Sequence, residues 1–282
     1  MFANLLIGLR EGLEAALIVA ILVAYLVKLD QRSMLPRLWA GVGLAVGLSV
    51  LATVILTATG SALSPKAEEI FAGTMSLLAV ILITWMIFWM AMHARTIKPH
   101  LHGEVDKAVL RSSWALGVVA FVAVAREGLE TALFVWASAQ SSGTTTGSFL
   151  GAILGLAISV ALGFLLYQGA LHINLSRLFM WTGLALVIVA AGVLMYAVHE
   201  YQEAGILPGE DALAFDVSAS VPSDSWHGTI LAALFNFRPA TSWLQAVAWV
   251  VYVVPTMAIF LKVVNRRPAP AAAPEPAAPV PV

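Results

Sequence analysis

Arg10, Glu11 and Glu14 stand together in the pentapeptide Arg10-Glu11-Gly12-Leu13-Glu14, and the same five residues recur as Arg126-Glu127-Gly128-Leu129-Glu130. Each copy interrupts an apolar run long enough to cross a bilayer. A charged side chain at the bilayer centre costs on the order of 2.5–3.5 kcal/mol, so six of them unpaired would cost roughly 15–20 kcal/mol. On a helix, the two acids of each copy are i, i+3 neighbours and the arginine reaches the second acid at i, i+4. Gly12 and Gly128 admit close approach of another backbone. If the two helices cross at these glycines, four carboxylates and two guanidinium groups share one small volume and leave a negative excess. A bound cation would offset it, and so would protonation of crowded acids. The bland alternative is a structural ion-pair network between two helices. Two Arg–Glu pairs would suffice for that, and the remaining acids are surplus.

The elements that must carry these groups are membrane helices. The chain has 282 residues, of which 60% are hydrophobic and 11% charged, with a mean hydropathy of +0.90. Soluble domains carry about 25% charged residues. There is no cysteine, which excludes disulfides and thiolate metal sites. Seven segments reach spanning length, near 2–27, 38–59, 69–92, 112–138, 148–170, 178–199 and 241–263. The first lacks a basic leader and holds three charged residues, so it reads as a retained helix rather than a signal peptide. Pro255 is expected to kink the last segment, and the Pro/Ala-rich residues 265–282 read as a disordered cytoplasmic tail.

Lys and Arg in the connections set the orientation. Apart from the pentapeptides, one side holds Lys28, Arg32, Arg37, Arg95, Lys98, Lys107, Arg111, Arg177, Lys262, Arg266 and Arg267, and the other holds Lys66 and Arg238. The N-terminus is therefore expected outside and the C-terminus in the cytoplasm. The outer side is acidic, with Glu68, Glu69, Glu200, Glu203, Glu210, Asp211, Asp216 and Asp224, which suits cations.

The chain also reads as a repeat. Segments one to three (about 1–93) match segments four to six (about 112–199): Gly60 and Gly169 close the second helix of each unit, and Ala91-Met92-His93 parallels Ala197-Val198-His199. Three helices per unit put the second unit upside down. The expected fold is all-α, an inverted 3+3 repeat plus a seventh helix, with its site at midplane between the repeats. The outer connection, residues 200–240, is acidic at first. It then turns apolar over 227–235, too short to span, and reads as an interfacial or re-entrant helix.

Two Arg-Glu-Gly-Leu-Glu motifs in the first and fourth of seven helices resemble the oxidase-dependent iron permease family, in its bacterial branch. Ser225-Trp226-His227-Gly228 and Leu234-Phe235-Asn236-Phe237-Arg238-Pro239 resemble it too, and the likeness covers residues 1 to about 264. It implies an inner-membrane iron importer, not an enzyme. Glu11, Glu14, Glu127 and Glu130 would be the metal ligands, with Arg10 and Arg126 balancing charge. It implies the iron ion as transported substrate, no organic cofactor, periplasmic iron-handling proteins as partners, and no nucleic acid. Oxygen donors suit iron in its ferric form, a hard cation. The Glu-x-x-His signature of di-iron bundles is absent from both motifs, which argues against the main enzymatic alternative, a membrane carboxylate-metal oxidase. A proton-coupled transporter of another divalent cation is the third reading.

Other polar residues read two ways. His93 and His199 are gate ligands on opposite faces, or helix-end histidines meeting water. Glu200 and Glu203 pre-collect cations beyond the sixth helix, or form a solvated acidic face. Met75, Met86, Met90 and Met92 read as packing, and Trp85, Trp89 and Trp243 as interface belt or core.

Overall fold

Backbone buried in hydrocarbon must bond to itself, and a helix does so within one segment. The computed structural model describes residues 1–93, 114–142, 145–168, 175–222 and 238–265, with Ser225, Gly228 and Leu231. Among them are seven long helices: α1 (Phe2–Lys28), α2 (Leu35–Ala62), α3 (Pro65–His93), α4 (Ala115–Ser142), α5 (Thr145–Tyr167), α6 (Leu175–Glu203) and α7 (Trp243–Asn265). Each predicted span is helical, with ends moved by a few residues. Helices α2, α3, α5, α6 and α7 are long and apolar enough to cross a membrane. Helices α1 and α4 are as long, but any bilayer-length stretch of them holds at least three charged residues.

The turns are short and have local causes. Helix α1 stops where Asp30 takes a left-handed conformation, φ 56°, and the Gln31 amide donates back to the Leu26 carbonyl. A 3-10 turn, Arg32–Met34, then leads into α2, which has Pro36 in its first turn. Helix α7 runs through Pro255 as one helix. Gly60 lies inside α2 rather than closing it, while Gly169, most of the apolar stretch 227–235 and the tail lie outside the described residues.

Packing is pairwise. Helix α1 lies chiefly on α5, α2 on α4, and α3 on α6, while α1 also touches α4, and α7 covers α6 and α3. Exchanging α1 with α4, α2 with α5 and α3 with α6 maps this scheme onto itself. The match holds for single residues. A Cβ on Gly12 would collide with Ser159, and one on Gly128 with Ser49; a Cβ on Gly151 would strike the Met1 carbonyl, and one on Gly41 the Gly117 carbonyl. Gly12 and Gly128 lie 116 residues apart, as do Met1 and Gly117, and Ser49 and Ser159 lie 110 apart, as do Gly41 and Gly151. The expectation that the two motif glycines meet each other is thus corrected. Each seats its helix on a serine of the neighbouring peripheral helix.

The main core joins α1, α3, α4 and α6 through Ile7, Val80, Ile83, Phe134, Val189 and Val193, among others. One end of the bundle gathers the starts of α1, α3, α5 and α7. There the connection after α6 forms an element the sequence reading lacked. Strand β1 (Leu213–Asp216) pairs antiparallel with β2 (Ala240–Ser242), matching Phe215 with Thr241, and β2 runs directly into α7.

Close helix contact makes some glycines irreplaceable. A Cβ on Gly155 would collide with the Leu5 carbonyl and sit 2.6 Å from the Leu9 nitrogen, whereas nothing lies within 4 Å of one on Gly43 or Gly47. Gly155→Val is expected to destabilise by about 1–3 kcal/mol or more through overpacking. Gly43→Ala and Gly47→Ala should be neutral or stabilising by up to about 1 kcal/mol. Thermal unfolding in detergent measures the contrast, and equal effects at both kinds of position would contradict this packing.

Candidate metal centre

Helices α1 and α4 carry the pentapeptides into the centre of the bundle. In α1, the Arg10 Nε donates to Glu14 Oε1 at 3.3 Å and lies 4.0 Å from Glu11 Oε1. In α4, the Arg126 Nε donates to Glu130 Oε1 at 3.0 Å and lies 3.9 Å from Glu127 Oε1. Identical spacing thus gives near-identical pairing. The surroundings differ: the Arg10 side chain is 1% exposed, while that of Arg126 is 45% exposed. The Arg126 guanidinium stacks over the Trp89 ring of α3 at 5.1 Å. Such a contact is worth about 0.5–1 kcal/mol at an exposed site. The sequence reading left Trp89 as belt or core, and its role as a shelf for Arg126 depends on helix placement that no local pattern reports.

The acids converge. One carboxylate oxygen each from Glu11, Glu14 and Glu127 lie within 4.8 Å of one another, and all three residues are buried. Glu130 stands outside this trio, its Oε1 held by Arg126, yet it is close enough to act electrostatically on Glu11 and Glu14. Both Glu11 oxygens, Glu127 Oε2 and Glu130 Oε2 are buried without a hydrogen-bond partner. Four acceptor atoms that donate nothing and receive nothing suit a cation, since each orphan otherwise costs about 1–3 kcal/mol. All-oxygen donors accept iron, manganese or magnesium more readily than soft metals.

Beside the acids lies a cavity of about 640 Å³ between α1, α2, α4 and α5. Glu11 and Glu127 are the charged residues that reach it; Ser49, Thr53 and Thr131 add hydroxyls, and most of the rest is aliphatic or aromatic. The Ser49 hydroxyl donates to the Ala45 carbonyl at 2.9 Å and the Ser159 hydroxyl to the Leu156 carbonyl at 2.7 Å. The two serines that seat the motif glycines are therefore satisfied within their own helices.

A second polar cluster sits where α6 ends. Glu200 and Glu203 were expected beyond the sixth helix; instead they belong to its last turn, with His199 one residue earlier. Ligand atoms of His199, Glu200 and Glu203 lie within 4.8 Å of one another. His199 Nε2 is 3.3 Å from Glu203 Oε1, and its Nδ1 is 3.3 Å from the Gln245 amide nitrogen. That nitrogen also donates to Gln202 Oε1 at 3.1 Å, which accepts from the Ser242 hydroxyl at 3.0 Å. The amide fixes the tautomer: Nδ1 accepts, and Nε2–H points to Glu203. Arg238 lies 5.4 Å over the Tyr196 ring beside this cluster. His93 is the last residue of α3, and its side chain lies outside the described residues, as do Trp226 and His227. Gln202, Ser242 and Gln245 were not singled out in the sequence; polar residues at helix ends are too common to signal a network. Of the methionines, Met86 and Met90 are core, while Met92 is exposed.

The chain matches the iron permease FTR1 family over residues 1–265. It is 39% identical over 264 residues to the ferrous iron permease EfeU of Escherichia coli O6:H1 strain CFT073, covering 93% of this chain and 95% of that protein. It is 34% identical over 263 residues to the ferrous iron permease EfeU of Yersinia pestis, covering 92% of this chain and 93% of the relative. No solved structure matches it. The chain belongs to the iron permease FTR1 family, and with it to the multi-pass membrane transporters rather than the enzymes.

Proposed function

We propose that this protein imports ferrous iron across the bacterial inner membrane, and that Glu11, Glu14, Glu127 and Glu130 hold the ion at midplane. The observation that carries the reading is the convergence of three buried glutamates from two helices, with carboxylate oxygens left unpartnered. Relatives of nearly the same length are named ferrous iron permeases. Arg10 and Arg126 keep the empty site from being too negative and hold Glu14 and Glu130 in place. The self-consistent pairing of helices supports an inverted repeat with its pseudo-two-fold axis near the motifs. On this reading the Lys/Arg-rich side is cytoplasmic. His199, Glu200 and Glu203 draw cations to the outer mouth, His93 stands toward the exit, and periplasmic iron-handling proteins supply the ion. The one-domain division, with seven helices over residues 1–264 and a tail from 265, belongs to the same proposal.

Two experiments test it. Wild-type protein in proteoliposomes should take up iron without consuming oxygen, and Glu14→Ala or Glu130→Ala should abolish uptake while the protein still inserts. Normal uptake by either variant removes that residue from the ligand set. The arginines should also differ in stability. Arg10→Ala strands buried acids and is expected to cost about 3–5 kcal/mol. Arg126→Ala, already half in the open, should cost markedly less. Thermal unfolding of the two variants compares them, and a larger loss for Arg126→Ala would overturn the assignment of Arg10 as the sealed partner.

A further inference from the structure

Among the described residues, eight buried side-chain atoms have no hydrogen-bond partner. Five belong to the pentapeptides, one is the Ser76 hydroxyl on α3, and the other two are the amide oxygen and nitrogen of Asn4. Asn4 is 1% exposed. Buried amides in folded proteins are almost always bonded, and one left wholly without partners points to something that occupies its place.

Its position says what. Asn4 precedes Glu11 by seven residues, so the two share one face of α1, about 20° apart and about 10 Å apart along the axis. It lies on the side of Glu11 toward the end of the bundle that carries His199, Glu200 and Glu203. Ile7, fully buried, separates the two polar residues on that face. The second repeat has no equivalent: 116 residues on stands Ala120, buried in an apolar cluster. The orphan amide therefore exists only on the outer leg of the path.

We infer that Asn4 is a transport residue that meets the hydrated cation above the glutamates and passes it to Glu11. This rests on the reading of the glutamates as the iron site. The amide oxygen accepts from a water carried by the ion, or coordinates the ion itself, as amide carbonyls do with hard cations. The amide nitrogen donates to a second water. The group is neutral, so it replaces hydration without binding tightly enough to hold the ion back.

The test uses full-length protein with Asn4→Leu, Asn4→Ala and Asn4→Asp. Initial Fe²⁺ uptake is measured in proteoliposomes, Fe²⁺ binding at equilibrium in detergent, and thermal unfolding alongside. Asn4→Leu is expected to slow uptake at least tenfold, with equilibrium binding kept and the melting temperature unchanged or raised, because an unpartnered amide is replaced by an apolar side chain of similar size. Asn4→Asp should retain uptake. Uptake by Asn4→Leu within twofold of wild type overturns the proposal, and so does a loss of uptake matched by a loss of folded protein. Should Asn4→Leu fail to insert, wild-type uptake by Asn4→Ala overturns it equally. Failure of the glutamate reading is distinguishable, since Glu14→Ala would then bind and transport iron normally whatever the Asn4 variants do.

Discussion

Inside a bilayer there is no water to solvate a carboxylate, and that single absence shapes this protein. Six charged side chains on two helices turn chiefly to one another, with Arg126 also resting on the Trp89 ring. Each arginine takes one acid at hydrogen-bond distance and stands about 4 Å from a second. The pairing still leaves one Arg10 guanidinium nitrogen and four carboxylate oxygens without a hydrogen-bond partner. A network built purely for stability would stop at matched pairs, because an unpaired buried charge weakens a protein more than a satisfied one strengthens it. The surplus acids are a standing cost that the surrounding helices must carry. They carry it through close contact at small residues, with Gly12 against Ser159, Gly128 against Ser49 and Gly155 against the α1 backbone. In lipid, where apolar burial gives helices little reason to associate, such contact is the main source of cohesion.

The two motifs are equal in sequence but not in setting. Leu13 is 1% exposed and its counterpart Leu129 is 40% exposed, in step with Arg10 and Arg126. Each arginine keeps the same two acids, so the difference lies outside the pentapeptides. Helix α7 and the strand pair before it have no counterpart under the exchange that maps the other six helices, and they join the bundle at the end where α1 begins. On the α4 side, Trp89 offers Arg126 the face of a ring. A half-exposed arginine at this depth needs such a surface, since lipid would not solvate it.

Much of this was legible in the chain. Apolar runs of bilayer length located the seven long helices among the described residues, because hydropathy and length are what a membrane selects. The pentapeptides were legible because charge in such a run is too costly to be incidental. What sequence withheld was partner choice. A motif glycine announces close approach but not to which helix, and the natural guess of Gly12 against Gly128 was wrong. Hydropathy marks where the membrane ends, not where the helix ends, so α6 continues through Glu200 and Glu203 past the predicted boundary. The strand pair escaped because three or four residues carry too little pattern. Asn4 was overlooked for the opposite reason: a lone neutral amide near a helix start looks ordinary until burial shows that nothing bonds to it.

The donor groups also form an order along the bundle. Where α6 ends, an imidazole tied to Gln245 stands with two carboxylates, one of them exposed. Deeper on α1 comes a neutral amide, then the carboxylates of Glu11, Glu14 and Glu127, all buried. On the proposed path, an ion moving inward meets the carboxylates of Glu200 and Glu203 first, then the amide, and last the buried acids of the pentapeptides. That sequence makes physical sense. A carboxylate at the mouth holds the ion loosely, because water there competes strongly and screens the charge. One met only after partial dehydration, in a medium of low dielectric, attracts it most where the ion has least solvent left to lose. On the same proposal, the arginines bound to the second acid of each motif limit how deep that well becomes, because every guanidinium held near the site subtracts from the attraction. A transporter needs a site that binds and releases, and two cations fixed among four acids are a direct way to keep binding from becoming storage.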